Sequence, residues 1–189
     1  MKRMSDFEDF GDSQNCYKIM VVGETGVGKS SLIRRLMLGS FSSCTSTTVG
    51  VDRKITKFNL GDGEGTVQLQ LLDAAGSYKF KLILKSYMSS IDAIVFMYDI
   101  SKKETFACLP LWTNLLNGVN TKRNLTKVLV GNKLDLPREV KTKNAVNYAD
   151  FEGMIPMETS VKNGESVDLV FKRIVAELKM QNGKQFPTI

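Results

Sequence analysis

The chain has 189 residues, 42% hydrophobic and 24% charged, an ordinary composition that suffices for one domain with its own core. Its three cysteines, Cys16, Cys44 and Cys108, stand far apart without metal-ligand spacing, and there is no histidine, which excludes a Cys/His metal site and any histidine-based triad. The net charge of +6 comes from lysines and arginines scattered along the chain rather than gathered in a stripe with aromatics, so no nucleic-acid partner is expected.

The opening segment, MKRMSDFEDFGDSQN, follows early basic residues with acidic ones and has no apolar block. It reads as a flexible extension over residues 1–15, not a secretory signal. CYKIMVVG is a short apolar run stopped by glycine, the pattern of a buried strand. KSSLIRRLML then places Leu32, Ile33, Leu36 and Met37 on one helical face. RKITKFNL and TVQLQLLD flank GDGEG, whose glycines and aspartate suit the turn of an antiparallel hairpin. IDAIVFMYD and TKVLVGN are further core strands, each followed by a segment of helical length, and IPMETS is a shorter last strand. The most apolar run, IDAIVFMYDI, is far shorter than the roughly 20 residues that cross a bilayer. The last helix carries Val167, Val170, Phe171, Ile174, Val175 and Leu178 at helical spacing, with lysines near its end. Strands alternating with helices predict an α/β fold with a six-stranded mixed, mainly parallel sheet and helices on both faces. One domain is expected over residues 16–181, followed by a tail at 182–189.

Chemistry gathers in the loops. GETGVGKSS fills G-x-x-x-x-G-K-[ST] between a strand and a helix, a match expected by chance in roughly 1% of chains this long. Glu24, Thr25, Gly26, Val27, Gly28, Lys29, Ser30 and Ser31 are therefore expected to wrap phosphates with successive N–H groups. Lys29 would reach the β- and γ-phosphates and the Ser30 hydroxyl would ligate Mg²⁺. In VGNKLD, at the end of an apolar strand, Asn132, Lys133 and Asp135 form a second motif. An aspartate there can accept hydrogen bonds from N1–H and the 2-amino group of guanine, donors that adenine lacks, and such sites discriminate by factors on the order of 10⁴. ETSVK, residues 158–162, can cap the far edge of the base.

With these motifs in this order, the chain resembles a small GTPase of the Ras superfamily, most similar to the Rab branch. GETGVGKSS, TTVGVD, DAAG, GNKLD and ETSVK carry the resemblance, joined by Phe106 and Trp112 in SKKETFACLPLW. It implies a P-loop small G domain that binds GTP or GDP with Mg²⁺. Thr48 would ligate the metal and sense the γ-phosphate, Asp73 would hold the metal through water, and the Gly76 N–H would bind the γ-phosphate. Phe41 would stack on the guanine edge, with Ser160, Val161 and Lys162 around the base. The implied activity is slow GTP hydrolysis served by Lys29, Thr48, Gly76 and Ser77, in a switch whose loops are ordered by the γ-phosphate and released by hydrolysis. The implied setting is vesicle trafficking in the cytoplasm, with effector proteins meeting two switch loops and partners recruiting the protein to the cytosolic face of endomembranes.

Departures from the family pattern modify those expectations. Ser77 stands where the family carries the glutamine that orients the attacking water. Serine is too short to hold that water and contact the γ-phosphate together, so hydrolysis should be slowed. The alternative is a hydrolysis-deficient pseudo-GTPase acting as a GTP-bound scaffold; an ATP-using P-loop kinase is a more distant rival. Arg53 and Leu72 replace apolar effector-surface residues, while Tyr78 and Lys79 replace the usual switch II pair, making exchange factors and GTPase-activating proteins atypical. Residues 42–47 are small and polar, so this loop is expected to be mobile without GTP. No cysteine follows Cys108, so only indirect membrane association is expected.

Overall fold

The computed structural model describes residues 16–43, 47–61, 63–77, 81–117, 119 and 125–183, with backbone only at 81–83 and 182–183. The expectations for residues 1–15, 44–46, Tyr78, Lys79 and 184–189 lie outside that set.

Six strands form one sheet: β1 (Cys16–Val22), β2 (Val51–Asn59), β3 (Thr66–Ala74), β4 (Ala93–Asp99), β5 (Thr126–Asn132) and β6 (Ile155–Thr159). Their order is β2-β3-β1-β4-β5-β6, with β2 and β3 antiparallel and the remaining pairs parallel. The helices are α1 (Lys29–Leu38), α2 (Lys81–Met88), α3 (Lys103–Ala107), α4 (Leu109–Thr113), α5 (Thr142–Glu152) and α6 (Val167–Gly183). The mixed α/β architecture read from the sequence is borne out.

The two-residue period of the strands divides the core into two layers. Ile19, Val21, Val95, Met97, Val128 and Val130 pack on one face with Leu32 and Ile33 of α1 and the apolar stripe of α6. Met20, Val22, Phe96, Tyr98 and Leu129 pack on the other with Leu84 and Met88 of α2, Trp112 of α4, and Ala145 and Ala149 of α5. Every residue of β4 is buried, which explains its unbroken apolar run. The chain leaves β1 toward β2 and β3 on one side and leaves β4 toward β5 on the other, so the carboxyl ends of β1 and β4 border the switch point at which open α/β sheets bind ligands.

Three local readings differ from the structure. The segment after β4 is two short helices and a 3-10 turn (Asn114–Leu116), because Pro110 lacks an N–H and starts a new helix rather than continuing α3. Helix α6 runs on to Gly183, so its last turn has no basic residue, and the Lys179 ammonium lies 3.3 Å from the Glu64 carboxylate. Leu72 is buried in the core layer that also holds Leu84 and Met88 of α2, whereas its cross-strand partner Arg53 is exposed, so only one of those two departures reaches the surface.

Phe171, fully buried on α6, meets Phe58 edge-on at a centroid distance of 6.3 Å. Phe171→Ala should destabilise the fold by about 3–5 kcal/mol, measured by urea unfolding. A loss below about 1 kcal/mol would contradict this packing of α6.

Candidate functional site

At the end of β1 the backbone turns sharply through Gly23 (φ 142°), where a side chain would run into the Met97 carbonyl of β4. Helix α1 begins after Gly28, with no side-chain cap and no acidic residue in its first turn, so its first N–H groups are available to an anion. Lys29 is buried, and its ammonium donates to the carbonyls of Gly23 and Glu24 at 2.8 and 2.7 Å. Desolvation lowers the Lys29 pKa to about 8, against the opposing charges of Asp73 and Glu24.

Beside Lys29, three oxygen-bearing side chains converge. The Ser30 and Thr48 hydroxyls are 3.0 Å apart, and Thr48 donates to Asp73 Oδ2 at 3.3 Å. Asp73 Oδ1 is buried without a hydrogen-bond partner. Burial pushes the Asp73 pKa up, while hydrogen bonds from Ser30 and Thr48 and the charge of Lys29 oppose the shift. Two hydroxyls and an under-satisfied carboxylate are the donor set of a hard cation that takes further ligands from phosphate or water, as Mg²⁺ does. Among the described residues no cluster of three or more His, Cys, Asp or Glu offers an all-protein metal cage.

The opposite end is built by the loops after β5 and β6. Asn132 is buried, donates from Nδ2 to the Val27 carbonyl at 2.8 Å, and accepts the Val161 N–H on Oδ1 at 3.1 Å. Its amide therefore joins the phosphate loop to the ETSVK loop. Lys133 takes a positive φ of 74°, and its ammonium lies 2.7 Å from Asp99 at the end of β4. Burial raises the pKa of Asp99, but Lys133 and hydrogen bonds from Ser101 outweigh this and leave it below the usual carboxylate value. Asp135 Oδ1 accepts the Ser160 hydroxyl at 2.6 Å, and Oδ2 lies 3.6 Å from the Lys162 ammonium. The Ser160 hydrogen bond is the main cause of its lowered pKa. Asp135 is thus a ready anion at the cavity wall.

Between the two ends lies a cavity of about 540 Å³, within the range that holds a nucleotide-sized ligand. Of the residues expected from the sequence, Thr25, Gly26, Gly28, Lys29, Ser30 and Ser31 line its phosphate end. Phe41 and Thr48 border it from the loop before β2, Gly76 from the end of β3, and Asn132, Lys133, Asp135, Val161 and Lys162 from the base end. Glu24, Val27, Asp73, Ser77 and Ser160 are not on that lining. Glu24 turns its carboxylate to the Trp112 indole N–H at 2.9 Å, Val27 enters the core, and Ser160 supports Asp135 from behind. Gly76 packs so closely on the phosphate loop that a side chain would meet Thr25 N at 2.5 Å.

Sequence reasoning missed Asp99, Arg35 and the hydrogen bond from Trp112 to Glu24. A charged residue ending an otherwise apolar strand is a signal for Asp99. The partners of Arg35 and Trp112 are 126 and 88 residues away in the chain, beyond the reach of local pattern.

The sequence model of the Ras family matches residues 18–180. The chain belongs to that family, and so to the small GTPases that bind guanine nucleotide and Mg²⁺. It is a Rab-like member. It is 37% identical to Ras-related protein Rab-30 of Homo sapiens over 164 residues, covering 86% of this chain and 79% of the relative. It is 34% identical to Ras-related protein Rab-18-B of Danio rerio over 167 residues, covering 88% and 80%. Rab-18 of Lymnaea stagnalis is likewise 34% identical, over 85% of this chain and 79% of the relative.

The lowered pKa of Lys29 sets a pH dependence. A bound polyphosphate restores the ammonium, so binding above pH 8 takes up a proton that below pH 8 is already present. As far as Lys29 sets it, guanine-nucleotide affinity should be level between about pH 7 and 8 and then fall, by at most about tenfold per pH unit, toward pH 9. Calorimetry in buffers of different ionisation enthalpy should detect the uptake. Its absence at pH 9 would contradict the burial cost at Lys29.

Proposed function

We propose that this protein is a Rab-like switch whose G domain, residues 16–181, holds GTP or GDP with Mg²⁺ and hydrolyses GTP slowly. The observation that carries the reading is one cavity with Lys29 and the start of α1 at one end and the Asp135 carboxylate at the other. The loop amides from Glu24 to Ser31 and the Lys29 ammonium hold the phosphates, and Ser30, Thr48 and Asp73 hold the metal. The metal, when bound, neutralises charge on the phosphate oxygens. Phe41, Lys133, Val161 and Lys162 enclose the base, Asp135 selects guanine, and Asn132 and Ser160 hold the selecting loop in place.

Thr48 and Gly76 report the γ-phosphate: Thr48 through its place in the metal cluster, Gly76 through its backbone N–H beside Thr25. These two positions connect the nucleotide to the loops offered to effector proteins. Arg53 places a cation on a surface that is usually apolar in Rab proteins, so effectors, exchange factors and GTPase-activating proteins should differ from those of standard members. The family relation supports a role in vesicle trafficking at the cytosolic face of endomembranes. Among the described residues no helix is long and apolar enough to cross a membrane.

Ser77 makes hydrolysis slow, and it also supports the second reading, a GTP-bound scaffold without turnover. In single-turnover assays Ser77→Gln should speed loss of the γ-phosphate by about 10- to 100-fold, equivalent to roughly 1.4 to 2.8 kcal/mol. An unchanged rate would reject this account of position 77. Asp135→Asn should weaken GTP by on the order of a hundredfold or more and turn preference toward xanthine nucleotide, whose 2-oxo group accepts where guanine donates. Full retention of GTP affinity would remove the basis for guanine selection.

A further inference from the structure

We infer that Arg35 is a positioning residue for base selection, holding the guanine loop to the helix that carries the phosphate end; this rests on the nucleotide reading above. Arg35 lies on α1, more than a turn beyond Lys29 and Ser30, and is not on the cavity lining. Its Nε donates to the Val161 carbonyl at 3.0 Å, one terminal nitrogen donates to the Lys162 carbonyl, and the other to the Gly39 carbonyl at 2.8 Å. Val161 and Lys162 are the ETSVK residues that line the base end.

The loop is folded around this guanidinium. Its ends are closed by paired backbone hydrogen bonds between Ser160 and Glu165, at 3.2 and 3.0 Å. Gly164 (φ 80°) lies against the guanidinium, where a side chain would sit 3.4 Å from Nε. Val161 is consequently fixed from both sides: its N–H by Asn132 and its carbonyl by Arg35. Ser160, immediately before it, donates to Asp135. Loosening Arg35 therefore loosens the support of the carboxylate that reads the base. Only a planar fork reaches three carbonyls in different directions; an ammonium is a point donor on a flexible stem.

The test compares wild type, Arg35→Met and Arg35→Lys, measuring GDP release and the affinities for GDP and for IDP, which lacks the 2-amino group. Loss of hydrogen bonds from a charged donor should speed GDP release by about ten- to a hundredfold in Arg35→Met. The preference for GDP over IDP should shrink severalfold, with Arg35→Lys intermediate in both. A merely structural contribution would lower both affinities together and leave the ratio unchanged. If Arg35→Met does not remain folded, the Arg35→Lys ratio decides alone. Wild-type release rate and ratio in the folded variants would overturn the role of Arg35 while leaving guanine binding intact. A wild-type protein that holds neither nucleotide would overturn both readings.

Discussion

The site depends first on the side-chain amide of Asn132. It is buried and uses both ends, donating to Val27 in the phosphate loop and accepting from Val161 in the base loop. Losing it would leave a buried carbonyl and a buried N–H unsatisfied, at a cost of about 1–3 kcal/mol each. It also explains Gly28, where a side chain would collide with Asn132 Nδ2. Glycine at one position and asparagine at the other are parts of one contact between segments 104 residues apart (132 − 28). With Arg35, which ties α1 to the same base loop, that contact helps to set the separation of the two ends of the cavity.

Around this joint the protein keeps charges that burial opposes. Lys29 is held below the ordinary lysine range and Asp73 above the ordinary aspartate range, each by desolvation. An anion at the first and a cation at the second relieve both, so nucleotide and metal should stabilise the folded chain as well as occupy it. Asp135 shows the opposite design: the Ser160 hydroxyl keeps it ionised, as the role proposed for it at the wall requires. Cost at the phosphate end and preparation at the base end are consistent with tight holding combined with base choice.

The fold was legible because its causes are local. The apolar run of CYKIMVV, the glycines between β2 and β3 and the stripe on α6 each state their element within a few residues. The phosphate and guanine motifs were legible for the same reason, and fourteen of the expected residues line the cavity, all but Glu24, Val27, Asp73, Ser77 and Ser160. What escaped is tertiary. Glu24 keeps its place in the phosphate loop while its side chain turns to Trp112, Leu72 reads as surface but is buried in the layer with Leu84 and Met88 of α2, and Arg35 of α1 closes a loop near the other end of the chain. Pro110 was visible, yet the splitting of one helical segment into two follows from the ladder it interrupts rather than from apolar spacing.

The proposed function requires a lone carboxylate at the sheet's rim to select the base of a nucleotide whose phosphates lie on the loop before α1. The most direct measurement is chromatographic identification of the nucleotide that accompanies the purified protein, followed over hours. A guanine nucleotide is expected, released faster when Mg²⁺ is chelated. An adenine nucleotide in its place, or none after saturation with GTP and Mg²⁺, would contradict it.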